Sequence, residues 1–280
     1  MTASYDAVVV GTDGSARSFR AVRRAGLYAA ALDVELVVAM AFHRPDESEV
    51  GPASERAESP QVSVVASGYR AAVDAAHDAA SLARDAAPKV RLDTVAVEGE
   101  ASEALIELAA SRGDALLIVG NQGMTGSKRF LLGSVPNKIS HHAASDVLIT
   151  LTDTDDPVAL PSSVVIGTDG SATATRALER GLALAGAVAA KVTVLTAGLG
   201  DRGKAVLDDA AERAEKAGVS IDTVLADGEA ADELVSAGDA HDLVIVGNRG
   251  MTGAARFLLG SVPNKISHHV STDLLIIRTT

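Results

Sequence analysis

The chain has 280 residues, 47% hydrophobic and 2% aromatic, with no Trp, no Cys and a formal net charge of -12. That balance sets aside disorder, stacking platforms for single-stranded nucleic acid, binding to extended polyanions, disulfides, thiolate catalysis and Cys-ligated zinc. The start has no basic leader, and the longest apolar stretch, 25–42, is broken by Asp33 and Glu35; a cytoplasmic protein without membrane or nucleic-acid partners is expected.

The first element is an apolar run closed by glycine, Ala7–Gly11, which reads as a buried strand leading into Thr12-Asp13-Gly14-Ser15. Ser15 or Asp13 can cap a helix over about 16–31, whose apolar positions Ala21, Ala25, Leu27 and Ala31 fall at helical spacing. A second strand, Glu35–Ala41, is followed by a segment rich in Glu, Ser and Pro, His43–Ser67. That segment is expected to be a long surface loop and a candidate flap over a ligand. A helix over Tyr69–Ala86, a strand over Leu92–Val97 and a further helix after Glu98-Gly-Glu100 come next. An apolar strand then ends at Gly120 and opens the loop Asn121-Gln122-Gly123-Met124-Thr125-Gly126-Ser127-Lys128-Arg129. Gly133-Ser134 is expected to supply a turn and N-cap for a short helix with Pro136 in its first turn. The strand Asp146–Leu151 closes the series.

The whole series then repeats. Gly167-Thr168-Asp169-Gly170-Ser171 restates the first loop 156 residues later, and Gly247-Asn248-Arg249-Gly250-Met251-Thr252-Gly253 restates the second 127 residues later. Arg256, Gly260, Ser261 and Pro263 follow in the same order, and Asp273–Arg278 is the last strand. Copy two is therefore shorter by about 29 residues, the loss falling between its second strand (Val192–Ala197) and second helix (Lys204–Ala217). The expected organisation is a domain over 1–151, a linker over 152–162 and a domain over 163–280. Alternating strands and helices predict an α/β fold, two tandem Rossmann-like domains each built on an open parallel sheet with helices on both faces.

Strand, glycine loop and helix start together can gather backbone N–H groups around an anion. Asp13 and Gly120 both end strands, as do Asp169 and Gly247, so each pair can flank the crevice outside the carboxyl ends of a parallel sheet. Glycine at 120 and 123 permits positive φ and close approach of a phosphate. Thr125, Ser127, Lys128 and Arg129 add hydroxyl and cationic donors, whereas copy two has Ala254 and Ala255 in place of Ser127 and Lys128. Tighter triphosphate binding is therefore expected in the first half. Met124 and Met251 read as gap fillers within these loops.

The spacing Gly-x2-Gly-x9-Gly-Ser, at Gly120–Ser134 and again at Gly247–Ser261, resembles the ATP-binding signature of the universal stress protein family, in particular its tandem-domain actinobacterial members. The resemblance covers both halves apart from the linker and the 43–67 segment. It implies five parallel strands per domain in the order 3-2-1-4-5, with ATP, and Mg2+ where phosphates carry it, across the ends of strands 1 and 4. Carried over, Gly11, Thr12 and Asp13 lie near the phosphates or a phosphate-bound metal, and the backbone of Ala41 meets the adenine. Gly120, Asn121, Gln122, Gly123, Met124, Thr125, Gly126, Arg129, Gly133, Ser134 and Val135 hold ribose and phosphates. The second set is Gly167, Thr168, Asp169, Ala197, Gly247, Asn248, Arg249, Gly250, Met251, Thr252, Gly253, Arg256, Gly260, Ser261 and Val262. The family also implies a regulatory, stress-response role with unidentified protein partners, and pairing of the two halves through their last strands into a pseudo-dimer, with a homodimer as a further step.

Other signals weigh less. His141-His142 and His268-His269 sit where a helix ends, so dipole-favoured protonation and carbonyl capping are expected rather than metal binding. Arg20, Arg23 and Arg24 read as the solvated face of the first helix. No catalytic group or resident protein-bound metal is assigned. An enzyme with slow ATP hydrolysis or nucleotidyl transfer is the rival reading, for which no general base or nucleophile is placed; a nucleotide-free scaffold is the third.

Overall fold

Val8, Val9 and Val10 are all shielded from solvent, which consecutive strand residues achieve only when both faces of their sheet are covered. The computed structural model describes residues 5–43, 60–122, 132–154, 157–248 and 259–279, apart from the side chains of 60–67. The first half runs β1 (Ala7–Gly11), α1 (Ala16–Leu32), β2 (Glu35–Phe42), α2 (Pro60–Ala86), β3 (Leu92–Glu98), α3 (Ala101–Ser111), β4 (Ala115–Gly120), α4 (Ser134–His142) and β5 (Asp146–Thr150). The second runs β6 (Ser163–Gly167), α5 (Ala172–Ala187), β7 (Lys191–Ala197), α6 (Arg202–Ala217), β8 (Ile221–Ala226), α7 (Ala230–Gly238), β9 (Leu243–Gly247), α8 (Ser261–His269) and β10 (Asp273–Ile277).

The strands form one ten-stranded sheet, ordered β3-β2-β1-β4-β5-β10-β9-β6-β7-β8. Each half therefore has the 3-2-1-4-5 order, parallel throughout. The halves meet where β5 and β10 pair antiparallel, with Leu148 opposite Leu275. Alternate strand residues feed two cores. Val8, Leu116 and Ile118 pack beneath α1 and α2, and their counterparts beneath α5 and α6, while Val9, Leu117 and Val119 face α3 and α4. Both cores run unbroken across the seam, joining Leu148 to Leu275 on one face and Val147 to Ile276 on the other.

Two expectations are corrected. The helix expected from Tyr69 begins at Pro60; proline suits a first helical position, where its missing N–H leaves no bond unmade. The described part of the 43–67 segment is thus helical from residue 60, while the flap reading falls on 44–59, outside the described residues. Arg24 is not on a solvated face: its side chain is 14% exposed and pairs with Asp273 of β10. The shorter second half leaves its mark at the sheet's end. There α6, 16 residues against the 27 of α2, leaves Val224 and Leu225 of β8 exposed. Among the described residues no helix is long and apolar enough to cross a membrane.

Candidate functional site

In the 3-2-1-4-5 order the chain reverses direction of travel between β1 and β4, and the crevice outside their carboxyl ends is where open α/β sheets take ligands. A cavity of 260 Å3 lies there in the first half, near the ~300 Å3 at which small-molecule sites begin. Gly11, Thr12, Asp13, Ala41, Gly120, Gln122, Gly133, Ser134 and Val135 all border it, so most of the described residues singled out from sequence in this half are brought together. Ser18, Ala101, Leu105, Val119 and Pro136 complete the wall. None of the five was singled out from sequence as a site residue, Pro136 only as the proline in the first turn of its helix, although Ala101 and Leu105 follow from the rule that the helix after each strand starts beside the same crevice.

Local hydrogen bonds fix the β1 exit. Thr12 Oγ1 accepts from Gly14 N at 3.1 Å and lies 2.8 Å from Ser18 Oγ. Asp13 Oδ1 accepts from Ser15 N at 3.0 Å, and Ser15 Oγ caps α1 by accepting from Ser18 N at 3.2 Å. Gly14 sits at φ +76°, a backbone state reserved largely for glycine. The second half repeats this with Thr168, Asp169, Gly170 and Ser171.

The β4 exit is built differently from the sequence expectation. The N-cap of α4 is Gly133, not Ser134, and among the described residues no side chain caps that helix; Gly260 does the same for α8. Among the described residues, both helix starts thus keep amides unmatched by a capping side chain, and that of α4 borders the cavity through Ser134 and Val135. Such a terminus favours an anion by ~0.3–1 kcal/mol at exposed sites. Gly120 is not at positive φ. A Cβ there would lie 2.8 Å from Thr152 Cγ2, so the glycine makes room for the chain leaving β5. Gly11 and Gly167 similarly make room for Leu105 of α3 and Leu234 of α7.

Asn121 faces inward. Its Oδ1 accepts from Thr152 N at 3.0 Å and Thr152 Oγ1 at 2.8 Å; its N–H donates to Thr150 O and its C=O accepts from Gly133 N at 2.8 Å. Asn248 is bonded identically to Thr279, Ile277 and Gly260. The positions Gly123, Met124, Thr125, Gly126, Arg129, Arg249, Gly250, Met251, Thr252, Gly253 and Arg256 lie outside the described residues.

The crevices differ at the second-helix wall. A Cβ on Gly14 would stand 4.0 Å from Ala75 of α2, but one on Gly170 would stand 2.7 Å from Val206 of α6. Ala197 is buried at the end of β7, and Val262 of α8 packs against the core. Charge braces the opposite wall. Lys138 of α4 bonds Glu100, the N-cap of α3, at 3.1 Å and Glu103 of α3 at 3.3 Å, and Lys265 of α8 pairs with Asp232 at 2.8 Å and Glu229 at 3.4 Å. The Ser102 hydroxyl, with Lys138 assisting, holds the Glu100 carboxyl down at about 2.

At the ends of α4 and α8 the histidines occupy the last turn. His141 departs from the expectation of favoured protonation: burial, then the neighbouring charge of His142, pushes it below 6.5.

Comparison with known proteins accounts for this doubled architecture. The model of the universal stress protein family matches residues 4–150 and again 162–278. The universal stress protein Rv1636 of Mycobacterium tuberculosis is 38% identical over 149 residues, 53% of this chain and 98% of its own. A universal stress protein of Archaeoglobus fulgidus shares the fold over 99% of this chain and 100% of its own, with TM-score 0.76 at 17% identity. A universal stress protein solved in complex with cAMP is 38% identical, covering 44% of this chain and 100% of its own at TM-score 0.40. With both halves matched by the same model, the chain belongs to the universal stress protein family.

Proposed function

We propose that each half binds one adenine nucleotide, ATP in the first instance, and that the chain is a cytoplasmic regulatory protein whose occupancy reports energy or stress status to protein partners. The observation that carries this reading is the first-half cavity. It joins the Asp13 turn of β1 to the helix start of α4, whose N-cap is Gly133, and Ala41 borders it from the end of β2. Phosphates belong at the α4 amides and the base toward Ala41 and Leu105, where the wall is apolar. Asp13 stands where a Mg2+ carried by the phosphates would meet a carboxylate, one oxygen of which already accepts from Ser15. In the second half, Gly167–Asp169, Ala197, Gly247 and Gly260–Val262 take the same parts. The chain's domains are taken as 1–151 and 163–280, joined by 152–162.

Equilibrium dialysis with labelled ATP tests the assignment, with and without Mg2+, and with cAMP as a second probe because one relative was solved with it. Two ATP per chain are expected, with the first site tighter. Ser134 is exposed at the first turn of α4, so Ser134→Glu places a carboxylate where phosphate would sit without burdening the core. That variant should bind one ATP, as should Ser261→Glu. Undiminished stoichiometry in both variants overturns the assignment. Replacing Gly120 is the poorer test, because its Cβ strikes Thr152 rather than the ligand space.

A further inference from the structure

Arg24 of α1 donates to Asp273 of β10, and Arg180 of α5 donates to Asp146 of β5. The two pairs occupy matching positions in the repeat, and each joins a helix of one half to the closing strand of the other. Both carboxylates are almost fully buried.

Apart from Tyr5, which bonds Asp146 from its own half, the partners of each carboxylate belong to the opposite half. Asp273 Oδ1 accepts from Leu151 N at 2.9 Å and Thr150 Oγ1 at 3.2 Å, at the exit of β5. The next residue, Thr152, bonds twice to Asn121 Oδ1. Asn121 in turn receives Gly133 N, the N-cap of α4. Through Arg24, the same Asp273 grips α1, which begins just after Asp13. One carboxylate of the second half therefore joins the helix that follows β1 to the strand exit that, through Thr152 and Asn121, holds the β4 side of the first crevice. The mirror series repeats every link but the hydroxyl bond, since Ile277 stands where the first half has Thr150. Asp146 Oδ1 accepts from Arg278 N at 2.7 Å, Thr279 bonds twice to Asn248 Oδ1, Asn248 receives Gly260 N, and Arg180 holds α5.

We infer that Asp273 is a positioning residue for the first nucleotide site and Asp146 for the second, so that each site is held in shape by the half that does not contain it. This rests on the nucleotide reading given above. Neither carboxylate touches the ligand space: both act through the exit of a closing strand, the threonine after it and the asparagine that sets the helix start. The two sites are consequently coupled, because a nucleotide that tightens the clamp in one half loads a strand whose own aspartate serves the other. Reciprocity of that coupling is required by linkage.

The test uses the full chain in two backgrounds, Ser261→Glu to leave only the first site and Ser134→Glu to leave only the second. ATP affinity is measured by calorimetry with Asp273→Asn and Asp146→Asn in each. Asp273→Asn should weaken the first site by about tenfold and the second much less, and Asp146→Asn should reverse that order. Thr150→Val removes only the hydroxyl bond to Asp273 and keeps the side-chain shape. It should give a smaller loss confined to the first site, and it decides the matter if Asp273→Asn does not fold. Amide hydrogen exchange on the nucleotide-free chain provides a readout independent of ATP: Asp273→Asn, or Thr150→Val in its place, should speed exchange at Gly133 more than at Gly260. Equal losses at both sites, or unchanged affinity with unchanged exchange at Gly133, overturn the inference. A wild-type chain that binds no ATP instead overturns the nucleotide reading, and the exchange experiment still decides whether the clamp crosses the halves.

Discussion

The guanidinium of Arg180 lies 4.3 Å from the ring centroid of Tyr5, and the phenol of that same tyrosine donates to Asp146 at 2.7 Å. A residue of the first half's leading edge thus braces both members of an ion pair that joins the halves. Asp114 completes the bracing with two contacts to Arg180, at 2.7 and 2.5 Å. Tyr5→Phe keeps the ring and removes the donor from a buried carboxylate, which should cost about 1–3 kcal/mol. Tyr5→Leu should lose a further ~0.5–2 kcal/mol from the cation–π contact. Urea unfolding of the three proteins checks the order; a Tyr5→Phe protein as stable as wild type contradicts it.

Gly120 and Thr152 should behave as one unit. Gly120→Ala forces its Cβ against Thr152 Cγ2, an overpacking expected to cost about 1–3 kcal/mol. Adding Thr152→Ser removes the offending methyl while keeping a hydroxyl for Asn121. The double variant should therefore be more stable than Gly120→Ala alone, a non-additivity that a thermal or denaturant cycle measures directly. Were the steric account wrong, the second substitution would only add to the loss.

Glu100 should shape the acid limb of the stability curve. Its folded pKa is held down at about 2 from 4.5, mainly by the Ser102 hydroxyl. An acid with a depressed folded pKa contributes stability that is present above 4.5 and disappears as pH falls toward about 2. Glu100→Gln should narrow the gap to wild type progressively over that window, with the two proteins meeting at its acid end. The carboxylate is half exposed, so the effect at neutral pH is expected to be small. Melting temperatures across the range provide the measurement, and a constant gap refutes the assignment.

His141 works in the opposite sense. Burial and the charges of His142, His268 and Arg278 disfavour its protonation, against a bond to Asn264 that favours it. The unfolded chain takes up the proton near 6.5 and the folded chain resists, so stability falls as pH drops through 6.5. His141→Gln should flatten that slope without moving the Glu100 window. NMR titration of the ring reports the site itself: a His141 pKa at or above 6.5 in the folded protein contradicts the reading.

The fold was legible because four-residue apolar runs closed by glycine, such as Ala7–Gly11 and Leu116–Gly120, have few alternatives to a buried strand, and because both glycine loops occurred twice. The gathering of Asp13, Ala41 and Ser134 around one cavity follows from the same topology. What the sequence hid were partnerships across distance. Arg24 looks solvated within its own helix, since Asp273 is 249 residues away. Asn121 sits in a glycine-rich loop and reads as a ligand contact, yet its side-chain oxygen serves Thr152. The start of α2 was masked by composition, because Ser, Glu and Pro argue for a loop even where Pro60 opens a helix.

The crossed ion pairs have a consequence for truncation. A chain severed between Thr152 and Ser163 strands Arg24 and Asp146 in one fragment and Arg180 and Asp273 in the other. Each fragment then carries an unmatched charge of either sign, where removing one partner of a buried pair typically costs 3–5 kcal/mol. It also carries a bare strand whose apolar residues are complementary to a like strand. Isolated halves should accordingly seek each other, or their own kind, before they seek any other molecule.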